Sequence, residues 1–515
     1  MMNFKALFRR TMLLLLVGLL ATGGAAWAGA GKTLVVGFDA MNDSFDPAVF
    51  TSWMGINTIN NVFDTLVQTK DGAKFEPGLA TSWTISSDGL TYTFKLRQGV
   101  KFHDGTAFNA DAVKFSFERQ LDPKHPYHAP GMTQAQLAFG SVARIEVVGP
   151  YEIRLVLKQP NAAQLANLCI FSTGIVSPEA VKRLGADFPV KPVGSGPFKF
   201  ERLDKGQQIV LSAFKEYWGG APKVDRVIIK GIPEDSARKA ALLSGEIDLT
   251  TYVDPKDIKD FKANKNLKVE QAVANSTGYM GMNQRHPALA NQKVRQALSY
   301  GVNRQQIVDV IFEGHTKVAG GWLPPVLFAH DPSLQKFYAY DPEKAKKLLA
   351  EAGYPNGFEV TFDVQASAHW PRLAELVQED FRKIGVKAII RKGDASAMVA
   401  MVNAGKHGIF FMDWTGGNLD PDYFMISPFH SESPRAKGRL FYANKQYDKL
   451  VVDAQKTSDL AKRKQLYTAA QKILVEDPGM AFLYYNVFTA VMNKKVTGFE
   501  LNPIRYLFFK DVAME

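Results

Sequence analysis

Histidine and serine side chains are the groups of this sequence whose spacing could support catalysis or metal binding. Two of the nine histidines, His125 and His128, lie three residues apart, but Pro126 favours a loop there and no cysteine or carboxylate cluster surrounds them. No histidine pair has the HExxH spacing of zinc peptidases. The Gly194-Ser195-Gly196 stretch lacks the GxSxG spacing of a nucleophile elbow. We therefore predict no catalytic residue and no metal site.

Glycine-rich phosphate-binding motifs are also missing from the sequence. Neither a P-loop nor a GxGxxG stretch occurs, so we predict no nucleotide cofactor and no other cofactor. The net charge of +11 comes from dispersed basic residues, without a block of five or six like charges. The sequence therefore does not predict a nucleic-acid partner, and binding of a solute is a simpler interpretation than an enzyme.

The first residues have the layout of a secretory signal peptide. Lys5, Arg9 and Arg10 precede an apolar run over residues 12–20, and the small-x-small sequence Ala26-Trp27-Ala28 follows. The apolar run is shorter than a membrane-spanning helix requires. No cysteine stands directly after the predicted cleavage point, where a lipid would be attached. The only cysteine, Cys169, lies far downstream. We therefore predict that residues 1–28 are a cleaved signal peptide and that the mature protein is periplasmic and not a lipoprotein.

Length and composition predict a folded protein of several domains. A chain of 515 residues exceeds what one hydrophobic core usually holds, so two or three domains are expected. The hydrophobic fraction of 46% and the charged fraction of 22% are ordinary for globular proteins and argue against disorder. A single cysteine excludes an internal disulfide.

The first half of the chain combines one α/β stretch with a β-rich segment. Residues 33–38 have the β-branched, apolar character of a buried strand, and residues 56–67 have helical apolar spacing. Residues 90–96 alternate between apolar and polar side chains after Asp88-Gly89, a favoured hairpin turn. Asn109 is placed to cap a helix.

The second half has a mixed α/β rhythm. Residues 294–310 are predicted to be helical with a break near Gly301, and Asp341 is predicted to cap a helix that ends near Gly353. Strands are predicted at 360–364 and 409–414, with a helix over 373–384 between them. Residues 480–509 have β character. The fold class is therefore α/β in two regions, with a β-rich insertion.

Several motifs together carry a resemblance to a known family. They are LATSWTISSDGLTYTFKLR at 79–97, VKFHDG at 100–105, GSGPF at 194–198, YWG at 217–219, SGEID at 244–248, VRQAL at 294–298, YDPEKA at 340–345 and WTG at 414–416. In this order they cover nearly the whole mature chain. The sequence resembles the extracytoplasmic solute-binding proteins of ABC importers, family 5, in its dipeptide- and oligopeptide-binding branch.

The resemblance implies a two-lobed periplasmic binding protein fold with a hinge and a β-rich third domain inserted in the first lobe. Domain I would comprise residues 29–63, 195–275 and 490–515, domain II residues 64–194, and domain III residues 276–489. The implied function is capture of a short peptide or peptide-like solute and its delivery to the permease subunits of an ABC importer, by a monomer. The alternatives are a non-peptide solute (an opine, a sugar conjugate or a metal chelate), a chemosensory role, and an exported hydrolase.

The ligand-binding candidates follow predicted strand ends, where clefts of α/β proteins form. Aromatic side chains among them would provide apolar walls for an extended peptide. The candidates are Met41, Asn42, Asn283, Trp322, Trp370, Trp414, Thr415, Gly416, Gly417, Asn418 and Asp420.

One position departs from the pattern that the resemblance implies. Dipeptide-binding members commonly carry an Asp that pairs with the peptide α-ammonium, and here Gly417 occupies that position. Those members also tend to carry an Arg, near the position of Ala366, that holds the α-carboxylate. A ligand charge buried without a partner is costly, so Asp413 or Asp420 could substitute for the acid and Arg372 for the base.

Overall fold

The computed structural model describes residues 31–515, apart from residues 50–51, 71, 73, 129–130, 133–134 and 368. The predicted signal peptide at residues 1–28 lies outside the described residues. Across the described part of the chain, no helix combines the length and the apolar character needed to cross a membrane.

Most strands are short, whereas two of them have 16 and 14 residues. In chain order the strands are β1 (Thr33–Phe38), β2 (Val67–Thr69), β3 (Phe75–Pro77), β4 (Ala80–Ile85), β5 (Thr91–Leu96), β6 (Val142–Gly149), β7 (Glu152–Leu157), β8 (Phe198–Asp204), β9 (Gln208–Ala213), β10 (Arg226–Gly231), β11 (Leu249–Thr250), β12 (Leu267–Met282), β13 (Lys317–Val318), β14 (Glu359–Gln365), β15 (Lys387–Gly393), β16 (Ile409–Thr415), β17 (Met480–Asn493), β18 (Val496–Thr497) and β19 (Ala513–Met514).

Helices lie between these strands and mostly begin at a polar capping side chain. They are α1 (Trp53–Val62), α2 (Ala110–Leu121), α3 (Ala135–Phe139), α4 (Gln164–Asn167), α5 (Pro178–Leu184), α6 (Asp235–Ser244), α7 (Ile258–Ala263), α8 (Gln292–Gly301), α9 (Arg304–Ile311), α10 (Pro342–Glu351), α11 (Trp370–Lys383), α12 (Ala395–Asn403), α13 (Pro421–Phe429), α14 (Lys445–Lys456) and α15 (Leu460–Glu476).

One sheet of 11 strands runs through the molecule in the order β15-β14-β16-β12-β17-β11-β1-β10-β9-β8, with β13 paired to β17. We call β1, β8–β11, helices α1–α7 and residues 494–515, together with the small sheet described next, the first lobe. We call β13–β16 with helices α8–α15 the second lobe. The two longest strands, β12 and β17, are antiparallel neighbours from Leu267↔Asn493 to Gly281↔Met480. They are the crossover strands, because they connect the two parts of the sheet.

A separate antiparallel sheet has the order β4-β5-β7-β6. Along β5 the side chains of Tyr92, Phe94 and Leu96 are buried, whereas Thr91 and Thr93 are partly exposed and Lys95 is exposed. This alternation confirms the predicted one-sided strand, because successive side chains of a strand point to opposite faces. The buried side packs on α2, whose N-cap Asn109 accepts a hydrogen bond from the Ala112 amide as predicted.

Asp64 connects α1 to segments that are far away in the sequence. Its buried carboxylate accepts hydrogen bonds from Ser195 Oγ at 2.9 Å, Tyr217 Oη at 2.8 Å and Trp218 Nε1 at 2.8 Å. Burial raises the pKa of Asp64 to about 6, against the lowering effect of these three donors. The GSGPF turn is therefore held in place by a buried carboxyl group.

Several predicted elements are confirmed. β1 has the predicted bounds, the 294–310 helix is broken after Gly301, and Asp341 caps α10 by accepting from the Lys344 amide. Strands β14 and β16 and helix α11 are present where they were expected, with ends shifted by up to three residues.

Two predictions were wrong in their extent. The helix predicted over 56–67 runs from Trp53 to Val62, and Val67 starts β2 instead. Residues 501–509 form no strand, although β character was predicted up to 509. There the backbone bonds to helix side chains, since Asn57 Oδ1 accepts from the Leu507 amide and Asn61 Oδ1 from the Phe509 amide.

Candidate functional site

The loop after β16 lies at the end of a parallel set of strands. β14 is parallel to both β15 and β16, so the carboxyl ends of these strands meet at one edge of the sheet. Thr415, the last residue of β16, pairs with Ser276 of the crossover strand β12, and Trp414 pairs with Thr277. Trp414 therefore lies beside the connection between the lobes, at the type of edge where α/β proteins bind ligands.

Trp414 belongs to an aromatic cluster. Its ring stacks on Tyr423 with centroids 5.3 Å apart and lies 6.5 Å from the ring of Trp322. The guanidinium carbon of Arg435 lies 5.1 Å from the Trp414 ring centroid. Trp414 is 6% exposed, and its buried Nε1 has no hydrogen-bond partner among the described residues. This indole N–H is therefore a donor without an acceptor.

Gly417 faces the β-rich part of the first lobe. A Cβ atom added at Gly417 would lie 3.8 Å from Leu137 Cδ2 and 4.0 Å from Ile170 Cγ2, which are ordinary apolar contacts. The Gly417 carbonyl accepts a hydrogen bond from Tyr506 Oη at 2.9 Å. The loop after β16 therefore contacts the first lobe directly.

Asn418 and Thr415 make hydrogen bonds that fix this loop. Asn418 is buried, and its Nδ2 donates to Asn167 Oδ1 at 2.8 Å, while its Oδ1 accepts from the Asp420 amide at 3.0 Å. Thr415 Oγ1 donates to Ser276 Oγ at 3.0 Å. Gly416 has its amide bonded to the Asn275 carbonyl. The polar groups of Asn418 are thus already satisfied within the protein.

Asp420 is part of a buried ion pair. Its carboxylate receives two hydrogen bonds from Arg463, at 2.9 and 2.7 Å, and caps α13 by accepting from the Asp422 amide. Burial and the neighbouring Asp420 charge raise the pKa of Asp422 to about 7. Asp420 therefore stabilises the start of α13 and has no free charge for a ligand.

Asn283 and Trp322 also have partners inside the second lobe. Asn283 Nδ2 donates to the His407 carbonyl at 2.7 Å, and Trp322 Nε1 donates to the Phe424 carbonyl at 2.7 Å. Asn283 follows Met282, which pairs with Ile409 at the opposite end of β16 from Trp414, about 17 Å along the strand. The structure does not bring Asn283 and Trp414 together.

Trp370 lies on the other face of the sheet from Trp414. It is the first residue of α11, buried among apolar side chains, with the His369 ring centroid 4.4 Å from its own. His369 Nε2 lies 3.3 Å from Tyr484 Oη, which donates to Asp413 Oδ1 at 2.9 Å. Asp413 and Trp414 are consecutive in β16 and point to opposite faces, so Asp413 belongs to the Trp370 side.

Met41 and Asn42 follow β1 in the first lobe. The Met41 side chain lies against Gly231, at the end of the parallel neighbour β10. Asn42 Nδ2 donates to the Ser44 carbonyl and so shapes its own loop.

No group of three or more histidine, cysteine or acidic side chains that could hold a metal ion is found in the described ranges. The candidate site consists instead of aromatic side chains and hydrogen-bond donors at the boundary between the two lobes.

Comparison with known proteins decides the family. A sequence model of the bacterial extracellular solute-binding proteins, family 5 (middle), matches residues 74–435. The chain belongs to this family. The resemblance predicted from the motifs is thereby confirmed, as is the two-lobed α/β fold of a periplasmic binding protein.

Individual relatives match along nearly their whole length. The dipeptide-binding protein of Escherichia coli (strain K12) is 33% identical over 513 residues, which cover 94% of this chain and 95% of the relative. The periplasmic binding protein DppA from Helicobacter pylori, solved with the peptide STSA, has a TM-score of 0.85 at 32% identity and covers 94% and 98% of the two chains. The binding protein AgaA from A. tumefaciens R10, solved with agropinic acid, has a TM-score of 0.79 at 27% identity, with 94% and 99% covered.

The structure adds residues of this family 5 protein that sequence reasoning missed. Tyr423 and Arg435 surround Trp414, and Tyr506 reaches Gly417 from the first lobe. Arg505 stacks on Tyr252 with its guanidinium carbon 4.2 Å from the ring centroid. No local spacing marks these residues, because Arg505 and Tyr506 come from the C-terminal segment, and Tyr423 and Arg435 meet Trp414 only through the packing of α13 and the segment after it.

Proposed function

We propose that this family 5 solute-binding protein captures a short peptide or peptide-like solute between its two lobes and delivers it to the permease subunits of an ABC importer. The relatives described as binding dipeptides or the peptide STSA support a peptide. The observation that carries the proposal is the loop after β16. It follows Trp414, whose indole N–H has no partner in the part of the chain that the structure describes, and it contacts the first lobe through Gly417 and Tyr506.

The proposed ligand contacts are the predicted residues that lie at the lobe boundary. Met41 and Asn42 would face the solute from the first lobe, and Trp414, Thr415, Gly416 and Gly417 from the second. We assign structural roles to the other predicted residues, because their polar groups have partners or their rings are packed in the core. These are Asn283, Trp322, Trp370, Asn418 and Asp420.

We further propose that the protein is a periplasmic monomer without enzymatic activity, exported by a cleaved signal peptide and not lipid-anchored. The sequence pattern of residues 1–28 supports export. The division into domains I, II and III that the resemblance implies is supported by the separate β4–β7 sheet and by the crossover strands.

A non-peptide solute is the second candidate. Gly417 provides no carboxylate for a peptide α-ammonium, and AgaA of the same fold was solved with agropinic acid. An exported hydrolase has no positive support from the site.

Thermal unfolding with added solutes tests the proposal. A bound peptide stabilises the folded protein by RT ln(1 + [L]/Kd), about 2.7 kcal/mol at a hundredfold excess over Kd, so the melting temperature should rise. The panel comprises di- to pentapeptides, agropinic acid and sugars, and free amino acids serve as the control. A rise with agropinic acid or a sugar, and with no peptide, would contradict the peptide assignment.

A further inference from the structure

Arg304, the first residue of α9, is a buried arginine without an acidic partner. Five arginines are buried in the part of the chain that the structure describes, and four of them form an ion pair with an aspartate. These pairs are Arg119–Asp46, Arg238–Asp235, Arg295–Asp477 and Arg463–Asp420. Arg304 is 6% exposed and forms no ion pair with a described carboxylate. Its positive charge is therefore compensated by neutral groups alone.

Backbone carbonyl groups occupy two of the three nitrogen atoms of the Arg304 guanidinium. Nε donates to the Phe482 carbonyl at 2.5 Å, and Nη1 donates to the carbonyls of Ser299 at 2.8 Å and Tyr338 at 3.2 Å. Nη2 forms no hydrogen bond with a described residue. Burial lowers the pKa of Arg304 to about 10, so the side chain is still charged at neutral pH. A charged donor with so little access to water favours a ligand oxygen as its acceptor.

A cavity of about 290 Å³ adjoins Arg304 in the second lobe. It lies between the start of α9, β13, residues 335–340 and the first residues of β17, and most of its wall is apolar. Because Arg304 lines this cavity while its Nε and Nη1 bond to backbone carbonyls, Nη2 is the atom left to contact a ligand there. Lys336 also lines the cavity, is exposed and forms no ion pair with a described residue. The cavity therefore adjoins two cationic side chains.

No acidic side chain of the described residues lines the cavity. Among the carboxylates nearby in the fold, Asp380 pairs with Lys383, and Asp309 accepts from Gln305 Nε2 at 2.9 Å. Asp341 caps α10. The charge of the cavity is therefore positive and is not balanced from within the protein.

The cavity is distinct from the proposed solute site at the lobe boundary. No residue of the first lobe lines it, and neither Trp414 nor any residue of the loop after β16 does so. All of its lining residues belong to the second lobe or to the end of β17 that pairs with Tyr279 and Gly281. A ligand bound there would not contact a solute held between the lobes.

Charge and wall chemistry together define the ligand that complements this cavity. A guanidinium forms strong charge-assisted hydrogen bonds with carboxylates, and apolar walls favour an organic group over an inorganic anion. We infer that the cavity beside α9 is a second binding site, for a small organic carboxylate whose oxygen accepts from Arg304 Nη2 and whose apolar part lies against Val318 and Met480. This inference goes beyond the proposed function, because it concerns a different site and a different ligand.

Isothermal titration of the purified exported protein with four probes tests the inference. The probes are benzoate, 4-methylpentanoate, the neutral benzamide and inorganic phosphate. Benzamide cannot form the charge-assisted hydrogen bond, and phosphate has no apolar part for the cavity wall. We therefore expect both carboxylates to bind at least tenfold more tightly than benzamide or phosphate.

Ala339→Phe obstructs the cavity and keeps every hydrogen bond of the Arg304 side chain. Ala339 lines the cavity and is exposed, so the protein should still fold. We expect this variant to weaken binding of both carboxylates tenfold or more. Ala350→Phe is the matched control, because Ala350 is an exposed alanine of α10 that does not line the cavity. It should leave both affinities unchanged.

Arg304→Gln and Arg304→Lys test the donor itself. We expect Arg304→Gln to weaken binding of the carboxylates tenfold or more and Arg304→Lys to retain part of the affinity. Arg304→Gln also removes bonds to backbone carbonyls, so Ala339→Phe decides the question if that variant does not fold. Equal affinities in Ala339→Phe and Ala350→Phe would overturn the inference, as would benzamide or phosphate binding as tightly as benzoate, or binding of neither carboxylate. None of these outcomes changes the thermal shift expected with peptides.

Discussion

At the scale of single residues, Trp414 and Asp64 show two outcomes for a buried polar group. Trp414 Nε1 has no acceptor among the described residues, whereas the Asp64 carboxylate receives three donors. Even so, burial raises the pKa of Asp64 to about 6 from its ordinary value of 3.8. An unsatisfied donor favours a ligand, and a satisfied carboxyl with a raised pKa makes stability depend on pH.

Replacing Asp64 by Asn should change the pH dependence of stability. The folded protein binds the Asp64 proton more tightly than the unfolded chain does. The stabilisation of the folded state by protonated Asp64 is therefore complete below about pH 4 and is lost as the pH rises through about 6. The free energy of unfolding of the wild type, relative to Asp64→Asn, should fall by about 2 kcal/mol between pH 4 and pH 7.

Denaturant unfolding at pH 4, 5.5 and 7 measures this difference. Asp422, whose pKa is raised to about 7, titrates in both proteins and so cancels in the comparison. A difference between the two proteins that stays constant over this range would contradict the assignment to Asp64.

Sequence reasoning at this scale succeeded where a residue follows a strand and failed where a partner is remote. Trp414 could be placed at a strand end because β16 has a readable apolar run. Arg463, which forms an ion pair with Asp420, is 43 residues away in the sequence. The spacing between the two residues does not predict that they are in contact. Arg435 was missed for the same reason, since its contact with Trp414 depends on how α13 packs.

At the scale of elements, the crossover strands determine how the lobes are connected. β12 and β17 are paired along most of their length, with register shifts between Val273 and Thr277 and between Gly278 and Tyr279. Gly278 lies at one of these shifts and packs directly against the ring of Tyr484. Absence of a side chain at this position allows the two strands and the ring to fit together.

Gly278→Ala should therefore destabilise the protein. The added methyl group would overlap ring carbons of the buried Tyr484, and overpacking of this kind costs about 1–3 kcal/mol. Gly393→Ala, at the end of β15, is the control, because its added Cβ would meet no atom within 4 Å. Thermal unfolding of both variants measures the effect, and equal melting temperatures would show that the strand can relax around the methyl group.

Elements were predictable to the extent that their signals are local. Caps such as Asn109 and Asp341 specify a helix start through neighbouring amides, and both were located correctly from the sequence. Residues 501–509 were assigned β character from their composition, yet their backbone amides are bound by Asn57 and Asn61. A tertiary partner decided their conformation.

At the scale of the whole molecule, a shared apolar cluster and several hydrogen bonds connect the two lobes. Tyr506 donates to the Gly417 carbonyl, Asn418 donates to Asn167, and the Ala162 amide donates to the Gln455 carbonyl. Because these bonds join the two lobes, each should slow the release of a solute held between the lobes.

Tyr506→Phe should accelerate ligand dissociation. The hydroxyl contributes one bond across the lobes, worth about 1 kcal/mol, and its loss should raise the dissociation rate roughly fivefold with little change in association. Stopped-flow kinetics with the solute that gives the largest thermal shift measures both rates.

Tyr354→Phe is the matched control. Tyr354 lies in the second lobe, and its hydroxyl forms no hydrogen bond with any described residue. An equal dissociation rate in Tyr506→Phe and Tyr354→Phe would contradict a role of the Tyr506 contact in retention.

The dependence of α1 on distant backbone groups has a consequence for biosynthesis. Asn57 and Asn61 find their partners 446 to 450 residues further along the chain, and β11 needs β17 as its neighbour. A nascent chain cannot form the hydrogen bonds of Asn57 and Asn61, or the pairing of β11, until residues 480–509 have left the ribosome. Its early segments therefore stay incompletely folded during translation. Delayed maturation of this kind suits a polypeptide that a translocation channel must thread before it folds.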